Sequence, residues 1–469
     1  MSTVKRFSRR ELLKLSRGLA ASAMLAACAP QPAPAPQPAV AADKAEPTKA
    51  TAPATAVPPT AAPAAASTSV RLWHHWGGDR VPLMDKMIKD FMAKYPNIKV
   101  EATLQPWEQR LEKLMASISA GTPPDVTMLA QQDMPPFVKA KALLPLAQLM
   151  TAAGITLDQY YEAEAKAMQW NGDTWVLPNA VGGAHNIMFY IPKDFQAVGL
   201  DPKNPPKTWD ELKAAVKKLV TFDGEKIKRL GCTLYGGADG FRHIMASNDA
   251  PMVSDDGRKS LMDNERTVEV MQYMLDVVDL QGGIEKVAAW QSTTSAFETN
   301  PFYSGLQSIL FTGDWYYFYI KAQAPKLEYM SAQTPVNRNS PWLGSYNYCW
   351  GYAIPKGAKD PKAAWQLVKW LSYDLEGSCE FIKAQLQGHP LKACFSQPEF
   401  TNAPFWPVID VSLKKTKVYN GAFPVWNEQG DAMTAALDQV YYHKKTPAQA
   451  VKEMSEKFQK SLDEWWATS

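Results

Sequence analysis

Over residues 70–130 the hydrophobic period of the chain switches repeatedly, and this limits the available folds more than any other feature. Val70-Arg71-Leu72-Trp73-His74-His75-Trp76 is a short β-prone run that ends at Gly77-Gly78. Pro82 suits a first helical turn, and Met84, Met87, Ile88 and Phe91 then fall on one helical face before Pro96. Ile98, Val100, Ala102 and Leu104 alternate as in a strand. Leu111, Leu114, Met115 and Ile118 form a second helical stripe, with Gly121 placed to cap it, and Asp125-Val126-Thr127-Met128-Leu129-Ala130 is a third strand. Two successive strand–helix–strand units imply an α/β chain with a parallel, doubly wound sheet. Such sheets bind ligands beyond the carboxyl ends of their strands. That rule nominates His75 and Trp76 after the first strand, and Gln131, Gln132 and Asp133 after the third.

The segment ahead of this rhythm reads as an address. Lys5, Arg6, Arg9, Arg10, Lys14 and Arg17 precede a weakly apolar run over residues 18–27, too short to span a bilayer and suited to a secretory signal. Ser8-Arg9-Arg10-Glu11-Leu12-Leu13-Lys14 resembles a twin-arginine export motif; an Arg pair in an ordinary secretory signal is the alternative. Leu25-Ala26-Ala27-Cys28 resembles a bacterial lipobox, which makes 1–27 a signal peptide and Cys28 the lipidated first residue of the mature chain. Of the 41 residues over 29–69, 10 are Pro and 16 are Ala. That composition cannot bury enough apolar surface to offset ordering entropy, so residues 28–69 are read as an extended tether.

Removing the leader changes the charge. Residues 1–27 carry six Lys or Arg against Glu11, or +5 of a whole-chain +3, so the remainder carries about −2. A near-neutral body offers no electrostatic case for nucleic acid. The roughly 400 residues after the tether suffice for two domains with real cores. Cys232, Cys349, Cys379 and Cys394 remain, with three possible pairings and no metal-ligand spacing.

Further along, Thr208-Trp209-Asp210-Glu211 is a capping box, Asp360-Pro361 caps another helix, and Ser308-Ile309-Leu310-Phe311-Thr312 is an apolar strand followed at once by Gly313-Asp314-Trp315. With these motifs in order, the chain resembles the family 1 extracellular solute-binding proteins, which include maltose- and multiple-sugar-binding proteins. The resemblance rests on Leu72-Trp73-His74, the F-x-x-x-Y-P-x-I-x-V pattern over 91–100, and Gly121-Thr122-Pro123-Pro124-Asp125-Val126. It continues through N-G-D-T-W-V-L-P ending at Pro178, Pro206-Lys207-Thr208-Trp209, Gly313-Asp314-Trp315, Gly351-Tyr352-Ala353-Ile354-Pro355-Lys356 and Gly388-His389-Pro390. Tyr190-Ile191-Pro192-Lys193 departs from the family's usual Tyr-Asn-Lys.

The resemblance implies a two-lobed periplasmic-binding-protein-like fold (type II), with discontinuous lobes, a hinge and a cleft. The expected lobes are 70–178 with 350–395, and 179–349 with 396–469. It implies a solute captured outside the membrane for the permease of an ABC importer, with no cofactor. It also puts Cys379 and Cys394 in one returning segment, where they would pair if any two do; four buried thiols are the alternative. A pyranose offers C–H faces to aromatic rings and hydroxyl edges to short polar groups. Trp76, Trp315 and Trp426 are the candidate platforms. Asp314, Gln131, Gln132, His75, Asn179, Glu428 and Tyr346 are the candidate edge groups. The competing readings are a polyamine or peptide binder, a ferric-ion binder using Tyr316-Tyr317, and an exported glycosidase, for which no nucleophile or metalloprotease motif is present.

Overall fold

The computed structural model describes residues 67–468, apart from 182–185, 235, 295–299, 338–339, 344, 347 and 420–423. The signal segment, Cys28 and most of the tether lie outside the described residues. The strand–helix rhythm of the opening segment folds as its periods require. Strands β1 (Thr68–His74), β2 (Ile98–Leu104) and β3 (Val126–Ala130) are parallel, with β1 between the other two. The helix Val81–Lys94 buries Met84, Met87, Ile88 and Phe91, the four residues of its apolar stripe. Gly121 follows the helix Arg110–Ser119 at φ 72°, a left-handed conformation that suits glycine.

In β2 only Ile98 is buried, and Leu104 is exposed. The strand forms the sheet edge, and cover on its apolar face fades from buried Ile98 through half-buried Val100 to exposed Ala102 and Leu104. By contrast all five residues of central β3 are buried. Asp125, just ahead of β3, accepts hydrogen bonds from the backbone N–H groups of Arg71 (2.8 Å) and Lys359 (2.7 Å). The Pro-Pro-Asp motif therefore ties the start of the sheet to a segment more than 200 residues away.

A short hairpin, β4 (Gln169–Trp170) with β5 (Asp173–Thr174), precedes β6 (Leu177–Ala180). The chain then leaves the first sheet. Strands β7 (Ile187–Tyr190), β8 (Thr221–Asp223), β9 (Lys226–Thr233), β10 (Gln307–Thr312) and β11 (Met330–Ala332) build a second sheet in the order β11-β7-β10-β9-β8. The chain returns with β12 (Trp350–Ala353), which inserts antiparallel between β3 and β6 and completes the first sheet as β2-β1-β3-β12-β6. The helix Pro361–Ser372 then buries Leu367, Val368 and Leu371, its start capped by Asp360, which accepts from the N–H groups of Lys362 and Ala363.

Cys379 and Cys394 form a disulfide in this returning segment, while Cys232 and Cys349 are buried free thiols. Beyond it, the helices Trp426–Tyr441 and Pro447–Ala467 pack on one another and into the apolar cluster of the second sheet. No helix among the described residues is long and apolar enough to cross a membrane.

Candidate functional site

Where the chain passes between the sheets, a cavity of about 350 Å³ opens. From the first sheet, His75 and Trp76 reach it from the end of β1, Met128 from β3 and Trp350 from the start of β12. From the second, Trp315 and Tyr319 reach it beyond β10, and Asp239 and His243 from the helix Gly237–Ser247. Tyr346 and Tyr348 line it from the returning crossover.

The candidate platforms occupy different depths. Trp315 is partly exposed at the cavity, and a Cβ on Gly313 would overlap its ring, so Gly313 is what lets the ring fold back against the backbone. Trp76 is buried, donates from Nε1 to Tyr352 Oη (2.9 Å), and packs edge-on to Phe381. One side of this ring therefore belongs to the core while the residue still lines the cavity. Trp426 does not line the cavity. It lies one layer behind, against Tyr346 (5.6 Å between ring centroids) and under the Arg242 guanidinium (3.9 Å).

The candidate edge groups separate more sharply. His75 lines the cavity with Nδ1 3.1 Å from the Gln105 carbonyl oxygen, and burial pulls its pKa below the ordinary value. Tyr346 lines it too, with Oη 3.4 Å from Asp239 Oδ1. Gln132 stands behind the wall and donates to Tyr348 Oη (3.0 Å). The structure does not bring the remaining four to the cavity. Gln131 is buried beneath it, its N–H given to the Cys349 carbonyl. Asn179 is fully buried and donates to the Leu371 carbonyl and to Ser378 Oγ, joining β6 to the returning segment. Glu428 is exposed on the first turn of the helix Trp426–Tyr441. Asp314 is fully buried and accepts from the N–H of Gly388 (2.6 Å) and from Gln387 Nε2 (3.3 Å), bracing the Gly388-His389-Pro390 turn against the second sheet.

Burial pushes the Asp314 carboxyl up to about 7, against the opposing pull of Gly388, Gln387 and the Arg80 charge. A carboxyl that binds its proton more tightly folded than unfolded loses stability as pH rises from about 4 to about 7. The buried imidazoles of His389, pushed down to about 3, and His74, pushed down to about 4, act in the opposite sense and cost stability as pH falls below 6.5. Comparison with Asp314→Asn separates the two. The variant should gain on the wild type by about 4 kcal/mol between pH 4 and pH 8 in urea unfolding, and a pH-independent difference would refute the assignment.

Several cavity residues carried no nomination. Trp107 follows β2 and is 51% exposed, with the Arg110 guanidinium 3.9 Å from its ring centre and Trp350 at 5.1 Å. Arg110 is itself held by both oxygens of Asp133 (3.0 and 2.9 Å). The carboxyl-end rule that found His75 reaches Trp107 when applied to β2. Tyr348 and Trp350 follow the candidate Tyr346 at every second position, a spacing that puts three rings on one side of an extended segment. For Arg80, after the Gly77-Gly78 turn, the sequence offers no signal. Tyr316 and Tyr317 are buried against Phe189, and among the described residues no three His, Cys, Asp or Glu gather as a metal centre.

Two sheets joined by crossing segments, with an aromatic cavity at the crossings, match known proteins. A mannotriose-bound protein superposes with a TM-score of 0.73 at 22% identity, over 84% of this chain and all of the other. The Listeria monocytogenes ABC substrate-binding protein in complex with cycloalternan gives 0.73 at 16% identity, over 85% and 99%. In sequence, a binding protein of Brucella abortus (strain 2308) is 25% identical over 404 residues, covering 80% of this chain and 89% of its own. The sn-glycerol-3-phosphate-binding periplasmic protein of Escherichia coli is 25% identical over 247 residues, 50% of this chain and 55% of its own. The model of one family, described as bacterial extracellular solute-binding protein, matches residues 77–372, well over half of the chain. With its two-lobed α/β fold, this chain belongs to that family, whose members bind small solutes for ABC permeases.

Proposed function

We propose that the protein captures a carbohydrate on the outer face of the membrane, held there by a lipid on Cys28 after export through the twin-arginine route. It then hands the solute to its permease without chemical change. The observation that carries this reading is the cavity itself, in which Trp107, Trp315 and Trp350 offer flat apolar faces while His75, Asp239 and Gln387 offer hydrogen-bonding edges. Both requirements of a pyranose are met within one space. Neighbours of the same fold hold mannotriose and cycloalternan. The lobes are taken as 70–178 with 350–395 and 179–349 with 396–469, closing about the ligand as a hinge. Closure is driven by contacts the ligand makes only in the closed state.

A screen by thermal unfolding against mono- and oligosaccharides, polyamines and short peptides tests the reading. A sugar at 100 times its dissociation constant should add about 2.7 kcal/mol to stability. Stabilisation by polyamines or peptides alone would overturn it. The relative named for sn-glycerol 3-phosphate supports a second reading, a small phosphorylated polyol, and puts that compound in the same screen.

A further inference from the structure

Arg80 lines the cavity, yet its Nε and Nη2 are shielded from water and have no hydrogen-bond acceptor. Its contacts are with ring faces. The guanidinium carbon lies 5.2 Å from the centre of Trp76 and 5.2 Å from that of Tyr319, both of which also line the cavity. Rings satisfy the flat faces of a guanidinium, while its N–H groups, which lie in the plane, are left without acceptors. Among the described residues Arg80 forms no ion pair. Asp314, the carboxylate that acts on it electrostatically, spends its oxygens on Gly388 and Gln387.

The position adds to the tension. Arg80 is the N-cap of the 14-residue helix Val81–Lys94, where the helix dipole presents its positive end and disfavours a cation. Desolvation accordingly pulls its pKa below the ordinary arginine value. A buried charge with unfilled donors is costly when left alone, and it is most readily kept where a ligand supplies the missing partner.

The two unfilled nitrogens are the pair that shares one edge of the guanidinium, which is the edge that receives both oxygens of a carboxylate or phosphoryl group side by side. Two of the other charged or titratable residues at the cavity are accounted for. Asp239 is paired with Arg242 at 2.7 Å, and burial favours neutral His75. Arg80 thus brings to the lining a cation whose Nε and Nη2 lack acceptors, and that edge suits one negative charge.

We propose that the solute is an acidic carbohydrate or polyol whose single oxyanion, a carboxylate or a phosphoryl group, pairs with the Arg80 guanidinium, the side chain turning its water-shielded Nε/Nη2 edge to the ligand. The inference rests on the cavity being the carbohydrate site proposed above.

Matched neutral and anionic probes test it on the full-length protein: galactose against galacturonate for the carboxylate, and glycerol against sn-glycerol 3-phosphate for the phosphoryl group. Calorimetry should give a dissociation constant at least tenfold lower for the acid of one pair, with the preference weakening as salt is raised. In Arg80→Gln the ratio should fall towards one, and Arg80→Lys, which keeps charge but loses the fork, should fall between. The wild-type ratio and its salt dependence need no variant, so a misfolded substitution leaves the test intact. Equal binding of neutral and acidic sugars would overturn the anion site and leave the carbohydrate reading standing. Binding of peptides or polyamines, with none of the four probes bound, would overturn both.

Discussion

Cutting Trp315 to alanine is expected to weaken binding of the solute about thirtyfold while leaving the ligand-free protein close to wild-type stability. The ring is partly exposed at the cavity, so its removal forfeits stacking on the ligand and opens no void inside a core. By analogy with the aromatic anchors of other interfaces the loss is about 2 kcal/mol or more. Gly313→Ala should reproduce much of that loss without deleting the ring, because the new Cβ would occupy the space the indole now fills and force it out of place. Calorimetric titration paired with melting of the same variants checks the expectation. A Trp315→Ala protein that melts far lower but binds normally while folded would refute the stacking role.

Gly351→Ala should be among the most destabilising single-methyl additions in the chain, costing about 3 kcal/mol. The residue lies in β12 between β3 and β6, at the point where the register of the β6 pairing shifts. A Cβ there would overlap the backbone oxygen of Leu177 and lie 2.7 Å from its carbonyl carbon. The obstructing atoms are backbone, and β12 cannot back away from them because its other edge is paired to β3, so the upper end of the usual overpacking range applies. Urea unfolding should show a lowered midpoint with an unchanged slope. A loss below about 1 kcal/mol would mean that β6 can withdraw.

Periodicity located the secondary structure because burial on one side is a local property of the chain. The stripe Met84, Met87, Ile88 and Phe91, the Thr208–Glu211 capping box and the Asp360 cap all stand where their spacing put them. The alternation of β2 marks a half-buried strand, but it cannot show that cover on the apolar face ends after Val100, leaving Ala102 and Leu104 exposed at the sheet edge. The cavity was less legible. The carboxyl-end rule reached His75 and Trp76, but placing Asn179 and Asp314 required knowing which backbone groups lacked partners. Both turned out to fill such needs at the junction with the returning segment. Arg80 escaped because what sets it apart is an absence of partners, and no spacing in a sequence records an absence.

The insertion of β12 between β3 and β6 sets a schedule for biosynthesis. About 220 residues separate the end of β3 from β12, which at usual rates of about 5–20 residues per second is a delay on the order of 10–45 s. Throughout that interval β3 and β6 each present an open edge, and β6 has no partner strand at all, since β12 is its neighbour in the sheet. Unpaired edges of apolar strands invite association with other chains. The nascent amino-terminal segment must therefore be shielded until the ribosome has passed residue 353 by the length of its exit tunnel, and refolding from denaturant should fail first at high protein concentration. Moving the chain ends to the exposed surface beside β12, so that this strand emerges ahead of β1, would give β3 and β6 their partner as they emerge, while β12 itself would wait for β3.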